Sequence, residues 1–190
     1  MHGVWDNDLI VFVTSNPDTL ESLSWGAPCA VDDSAEGLGR VVAGRVWINA
    51  NWMEEHDDDD NIANFLQQMT HVLGVHYKAY EYWRDPYYGH RYPAVTEKFD
   101  NVRGKCVHRL ITPNVRAKAG IEFNCWKMDG IELEDSGDDL IPGHHWDKRL
   151  MYNDYMVRDI EHGRDTVYSK ISLAALADTG WYDINWEYGH

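Results

Sequence analysis

Gln67, Gln68 and His71 lie in the stretch Asn61-Ile-Ala-Asn-Phe-Leu-Gln-Gln-Met-Thr-His-Val-Leu-Gly74, and their spacing is that of a metal-binding helix. Residues four apart on an α-helix project from one face, so Gln67 and His71 point the same way and Gln68 stands beside them. The frame is that of the HExxH motif, in which two imidazoles bind zinc and the glutamate takes a proton from water. Here Gln-Gln occupies the place of His-Glu. An amide oxygen is a neutral and weaker zinc ligand than an imidazole nitrogen. The change at position 68 is the sharper loss, because an amide cannot accept a proton and general-base help is worth roughly 10²–10⁴ in rate. A lone histidine on a helix is most often structural, so these residues alone leave open an altered metal site or a packed histidine.

Holding such side chains requires a helix, and the flanking sequence supplies its signals. Ile62, Phe65, Leu66, Met69, Val72 and Leu73 recur at three- and four-residue steps, which predicts one buried apolar stripe. Asp57 to Asp60 lie upstream, where acidic groups favour the positive end of a helix, with Asp60 or Asn61 as cap. This acidic run reads as a solvated helix start rather than a calcium site, which needs a looped, spaced set of oxygens. Gly74 supplies a left-handed stop.

The rest of the chain reads as short elements around that helix. Residues 8–14 form a continuous apolar run before a Ser-Asn-Pro-Asp turn, which predicts a buried strand, and residues 23–33 read as a loop around a buried Trp25. Residues 40–49 alternate as a strand, with Gly44 marking a bulge or close backbone approach. Residues 75–93 carry Tyr77, Tyr80, Tyr82, Trp83, Tyr87, Tyr88 and Tyr92. They predict an ordered loop or short helix, its rings packed on the core rather than lining a binding surface. Thr112-Pro113 opens a helix towards Phe123, residues 129–140 read as an acidic surface loop, and a last helix spans residues 169–179 with Gly180 as its stop.

Several further stretches are similar, in order, to one family. Gly143-His-His-Trp-Asp-Lys-Arg-Leu-Met-Tyr-Asn-Asp-Tyr-Met156 resembles the Ser-His-Trp-Glu-Lys-Arg…Asn-Glu-Tyr-Met segment of leishmanolysin-type zinc metallopeptidases. Leu23-Ser-Trp-Gly-Ala-Pro-Cys29, Val42-Ala-Gly-Arg-Val-Trp-Ile-Asn49, Phe123-Asn-Cys125, Gly130-Ile-Glu-Leu-Glu134 and Ile171-Ser-Leu-Ala-Ala-Leu-Ala-Asp-Thr-Gly-Trp-Tyr182 are similar as well. The resemblance implies an α/β (α+β) fold over residues 1–190 as a single metzincin-like catalytic core. Its upper part, about residues 1–76, would be a twisted mixed sheet packed on an active-site helix at 60–74, the strand before that helix forming one wall of the substrate groove. Its lower part, about residues 77–190, would be mostly helical and carry His145 and a Met-turn at Met156. By the same resemblance the two helix ligands fall on Gln67 and His71, the general base on Gln68, and the third ligand on His145. His144 and His76 are possible extra ligands, and zinc, the family's metal, is expected to bind weakly or not at all.

Composition bounds the function. The chain has 190 residues with 44% hydrophobic content, enough for one compact domain. Seventeen basic against thirty-two acidic residues give a net charge of −15, which repels nucleic acid and anionic membranes and leaves cationic partners easier to accommodate. No apolar run approaches the length of a membrane span, and residues 1–20 lack the pattern of a signal peptide, whereas the resembled family is secreted or cell-surface. Localisation stays open. Cys29, Cys106 and Cys125 allow at most one intrachain disulfide and leave a thiol over, and the family likeness implies oxidation of some of them outside the cell. Ser22, Ser24, His56 and His162 have no nucleophile-elbow or triad context. The resulting expectation is a leishmanolysin-like pseudopeptidase that keeps a groove for a peptide or protein. The alternatives are an active or residually active zinc metalloendopeptidase, an engineered inactive form of one, or a structural interaction protein.

Overall fold

Arg40–Asn49 sits at the centre of the first layer, burying Val41 and Val46, which five residues of separation place on opposite faces of the strand. In a computed structural model that describes residues 7–16, 24–135, 137, 141–159 and 165–190, this strand (β3) pairs on both sides. β1 (Ile10–Asn16) runs parallel to it and β2 (Ser24–Asp32) antiparallel, giving a mixed sheet of order β1-β3-β2. Residues 24–32 are therefore an edge strand and not the expected loop. Gly26 and Pro28 interrupt the alternation that a strand shows in sequence, and an edge tolerates both. Trp25 is 43% exposed, with the Arg45 guanidinium 5.3 Å over its ring, so it is not the buried residue expected. β1 is likewise less buried than its composition predicts, because it too lies at an edge, with Phe12 and Val13 exposed.

A short helix α1 (Ala50–Glu55), capped by Asn49, leads into α2 (Asp58–Val72). Its cap is Asp57, whose carboxylate accepts the Asp60 N–H, one turn earlier than expected, so that Asp58, Asp59 and Asp60 all lie in the first turn. The helix is where the sequence places it, but its orientation is inverted. Ile62, Phe65 and Leu66 are exposed, whereas Asp60, Ala63, Asn64, Gln67, Gln68, Thr70, His71 and Val72 are buried. The reason is close contact with the sheet. A Cβ at Gly44 would lie 2.4 Å from Val72 Cγ1, and one at Gly26 would lie 2.3 Å from the Gln68 carbonyl oxygen, so only glycine lets this face approach. The polar groups are then paired across the interface, as where Asn64 donates to Ser24 Oγ at 3.0 Å.

Beyond Gly74 (φ +120°) the chain makes a 3₁₀ turn, Tyr77–Tyr82, and the aromatic residues divide. Trp83 is fully buried and donates to the Gly74 carbonyl at 3.0 Å, and Tyr80 is buried, but Tyr87 and Tyr88 stand in solvent. The C-terminal region carries, besides its helices, a sheet that the sequence reading did not expect. β4 (Thr96–Val102), β5 (Lys105–Leu110) and β6 (Ile131–Glu132) form an antiparallel sheet beside α3 (Pro113–Glu122), α4 (Lys148–Met151) and α5 (Lys170–Asp178). This sheet escapes sequence reading because β4 is mostly polar and β6 is two residues inside an acidic stretch. The architecture is α+β, and Trp83, Trp146, Leu110, Ile131, Met156 and Ile171 fill the core of the C-terminal region.

Two carboxylates hold this region together. Asp178, at the end of α5, accepts from Asn114 N at 3.2 Å and Val115 N at 2.9 Å, and so caps α3 in place of the expected Thr112. Glu132 is buried yet paired with Arg103, Arg109 and Arg149 at the surface. Cys29, Cys106 and Cys125 are not joined to one another in a disulfide, and among the described residues no helix is long and apolar enough to cross a membrane.

The hydrogen bond from Arg103, with the charges of all three arginines, holds the Glu132 carboxyl below its ordinary 4.5 against the cost of burial. A depressed carboxylate contributes stability that is present above its unfolded value and is lost as pH falls through the folded one. Glu132→Gln is expected to cost about 2 kcal/mol near neutral pH, less than a fully buried pair because the arginines are partly exposed. Urea unfolding should show that cost shrinking as the pH falls below 4.5.

Candidate metal centre

His71 is presented by the buried face of α2 and fixed by the way that helix ends. The chain turns at Gly74, and the Val75 carbonyl comes to 2.8 Å from His71 Nδ1. A carbonyl only accepts, so Nδ1 carries the proton and Nε2 keeps its lone pair. Burial, reinforced by the neighbouring His145 and His144, holds the His71 pKa well below its ordinary 6.5, so the ring is neutral.

His145 arrives from the other side of the molecule. Leu133 bridges Trp146, and the Trp146 N–H donates to the Met156 carbonyl at 3.0 Å, which fixes the segment. His145 Nε2 lies 3.0 Å from His71 Nε2, the ring planes crossing at 82°. Behind His145, Glu134 Oε1 is 2.5 Å from Nδ1. Burial opposes ionisation of Glu134, yet the hydrogen bond and charge of His145 keep its carboxyl below the ordinary 4.5.

His144 completes a cluster. Its ring centre is 4.8 Å from that of His71 and 4.5 Å from that of His145, and burial pulls its pKa down to about 4. One ring nitrogen from each of His71, His144 and His145 lies within 4.8 Å of the others. Tetrahedral zinc with bonds of about 2.0–2.1 Å sets its nitrogen ligands about 3.3 Å apart, a scale the 3.0 Å His71–His145 pair matches, while the set of three spans up to 4.8 Å. The charge arrangement fits too. With both Nδ1 atoms donating to acceptors, the two Nε2 lone pairs face each other, and one positive charge between them, a proton or a metal cation, removes the repulsion. The Glu134 carboxylate balances that charge.

His76, a possible extra ligand, is not part of the cluster. Its Nδ1 accepts the Lys78 N–H at 3.2 Å, so its proton is on Nε2, and its ring stacks on His144 with centroids 4.4 Å apart. Burial pushes its pKa down to about 3. Gln67 is otherwise engaged. Its amide nitrogen donates to the carbonyls of Tyr155, at 2.8 Å, and Val157, at 2.6 Å, while its oxygen accepts from Gln68 at 2.8 Å. Two carbonyls can only accept, which fixes the orientation of the amide. Gln68 also donates to Asn64 at 3.2 Å. Position 67 is thus a strut between α2 and the turn that contains the buried Met156.

Ser24 is an acceptor for Asn64, and His56 stacks on Trp52, so neither belongs to the centre. Ser22 and His162 lie outside the described residues. Glu134 was missed by sequence reasoning, which took residues 129–140 as an acidic surface loop in which nothing points to a histidine. Beside Gln68 an open, mostly apolar cavity of about 420 Å³ is lined by Ile48, Met53, Ile62, Phe65 and Leu66, with Asp58 at its rim. The sheet edge on the β2 side belongs to β2 and not, as expected for the groove wall, to β3, which is interior.

With this geometry in hand, comparison with known proteins is informative. A model of the leishmanolysin family matches residues 1–189. A leishmanolysin-like peptidase of Caenorhabditis elegans is 30% identical over 220 aligned residues, covering 97% of this chain and 32% of the relative. The ciliated left-right organizer metallopeptidase of Xenopus laevis is 26% identical, covering 96% of this chain and 26% of the relative. The leishmanolysin of Leishmania donovani is 25% identical, covering 95% and 28%. The chain spans about a third or less of the length of these curated relatives.

The strut is directly testable. Gln67→Ala strands two buried carbonyls and is expected to cost about 2–4 kcal/mol, since each unmet buried group costs about 1–3 kcal/mol. In the same thermal or urea unfolding measurement a conservative change at the exposed Phe65, such as Phe65→Leu, should fall within about 0.5 kcal/mol of the parent.

Proposed function

Because this chain belongs to the leishmanolysin family, we propose that it is a metallopeptidase domain that keeps a metal centre and a peptide groove but lacks the group that activates water. The observation that carries this reading is the pair of glutamines. Gln67 is held by the turn around Met156, and Gln68, bonded to Gln67 and Asn64, stands at the general-base position with an amide that cannot take a proton. His71, His144 and His145 would hold the metal, His144 standing in for the ligand lost at position 67. Binding would then be tighter than the glutamines alone imply. Zinc in such a site supplies Lewis-acid polarisation of a carbonyl and lowers the pKa of water.

The other residues serve binding. An extended peptide would add to the edge of β2 that no other described strand pairs with, where backbone groups supply affinity and alternate side chains meet pockets. The cavity beside Gln68 would take an apolar side chain, and the acidic residues of α1 and the first turn of α2 would favour lysine or arginine nearby. The whole chain would act as one core, an upper part with the sheet and α2 and a lower part carrying His145 and the Met156 turn, the metal lying between them. The partner is a peptide or protein, and a charge of −15 disfavours nucleic acid.

A second reading, residual endopeptidase activity, is favoured by the intact three-histidine cluster. One set of measurements separates the two. Elemental analysis should find about one zinc per chain, lost on chelation, while cleavage of a casein-like substrate stays near background. Gln68→Glu should raise that cleavage by roughly 10²–10⁴. Chelator-sensitive turnover in the parent that Gln68→Glu fails to increase would refute the impaired-enzyme reading.

His144 has its own test. His144→Ala should weaken zinc binding at least as much as His145→Ala does, and Gln67→Ala should leave it within a few-fold of the parent.

A further inference from the structure

Glu134 meets a single residue twice. Its backbone N–H donates to the His145 carbonyl at 3.0 Å, and its carboxylate lies 2.5 Å from His145 Nδ1. Neighbouring contacts prevent either from drifting. Leu133 bridges Trp146, and the Asp147 N–H donates to the Glu132 carbonyl at 3.0 Å. Gly143 lies so close that a Cβ there would fall 2.5 Å from the Glu134 carbonyl oxygen. Both side chains are largely shielded from solvent, 17% exposed for Glu134 and 14% for His145.

We propose that Glu134 is the positioning residue of His145: it accepts the hydrogen bond from the Nδ1–H and thereby directs the Nε2 lone pair at His71 Nε2 and at a cation held between the two rings. The inference rests on the metal centre proposed above. A ligating imidazole whose far N–H is held by a carboxylate has a fixed ring orientation and tautomer and is a stronger donor, and losing such a partner typically costs 10–100-fold in metal affinity. His71 has the equivalent support from the Val75 carbonyl, so the two facing imidazoles are braced from behind by different elements. The bracing is unequal, since only Glu134 is charged. Glu134 lies behind the His145 ring, on the side away from the cation, so it acts through His145 and does not touch substrate.

The test uses the full chain with Glu134→Ala and Glu134→Gln. Two-bond proton–nitrogen NMR of the His145 ring, recorded without metal at alkaline pH, should place the proton on Nδ1 in the parent. Glu134→Gln should keep it there, because the amide oxygen still accepts, and Glu134→Ala should lose the preference. Cobalt(II) affinity, read from visible absorption against a competing chelator, should fall about 10–100-fold in Glu134→Ala and by less in Glu134→Gln. A His145 that stays Nδ1-protonated in Glu134→Ala, or a cobalt affinity unchanged in that variant, overturns the proposal. If the parent binds no cobalt, the metal-centre reading fails by itself, and the tautomer measurement alone decides the role of Glu134. If circular dichroism shows Glu134→Ala unfolded, Glu134→Gln decides: equal cobalt affinity to the parent overturns the proposal, and a loss with the tautomer retained supports it.

Discussion

The arrangement depends on one helix that turns its polar side inward. Burying Asn64, Gln67, Gln68, Thr70 and His71 is costly unless every polar atom finds a partner, and the helix itself supplies only part of the set, as where Gln68 donates to Gln67 and Asn64. The others come from three directions. Ser24 on the sheet serves Asn64, the carbonyls of Tyr155 and Val157 serve Gln67, and the Val75 carbonyl serves His71 Nδ1. Each partner belongs to a different stretch of chain, so satisfying the helix assembles the molecule around it. The glycines of β2 and β3 make this possible by letting backbone approach backbone where a larger residue would hold the helix away.

Gln67 has a structural role of its own. A neutral amide with two donors is suited to two facing carbonyls, and it spans from α2 to the turn around Met156 without placing charge in the interior. His144 brings a third ring nitrogen near those of His71 and His145 from the opposite segment. The Glu134 carboxylate lies behind His145, away from the amide of Gln68.

The stable framework on the C-terminal side comes from buried carboxylates with several donors. Asp178 caps α3 from α5, Glu132 gathers three arginines, and Asp154, fully buried, accepts from Met156 N at 2.8 Å and Ser172 Oγ at 2.7 Å. Asp154 thereby fixes the turn whose neighbouring carbonyls hold Gln67. Burial raises the pKa of Asp154 while these hydrogen bonds oppose the shift, so the interaction is one of geometry more than of charge.

Local sequence determined a good deal. The three- and four-residue recurrence from Ile62 to Leu73, with the acidic run at its start and Gly74 after it, placed α2 to within about a turn, because helix period and end signals are local properties. The span of β3, the Thr-Pro start of α3 and the Gly180 stop of α5 were legible for the same reason. The spacing of Gln67, Gln68 and His71 identified the face that matters, and His145 became legible only through likeness to a family. Tertiary structure alone decided which side of α2 is buried, since hydrophobic period measures amphipathicity but not what lies opposite. It also decided that Asp178 rather than Thr112 caps α3, that residues 24–32 pair as an edge strand, and that Glu134 stands behind His145. Those outcomes come from groups far apart in the chain competing for the same hydrogen bonds, and no local pattern carries that information.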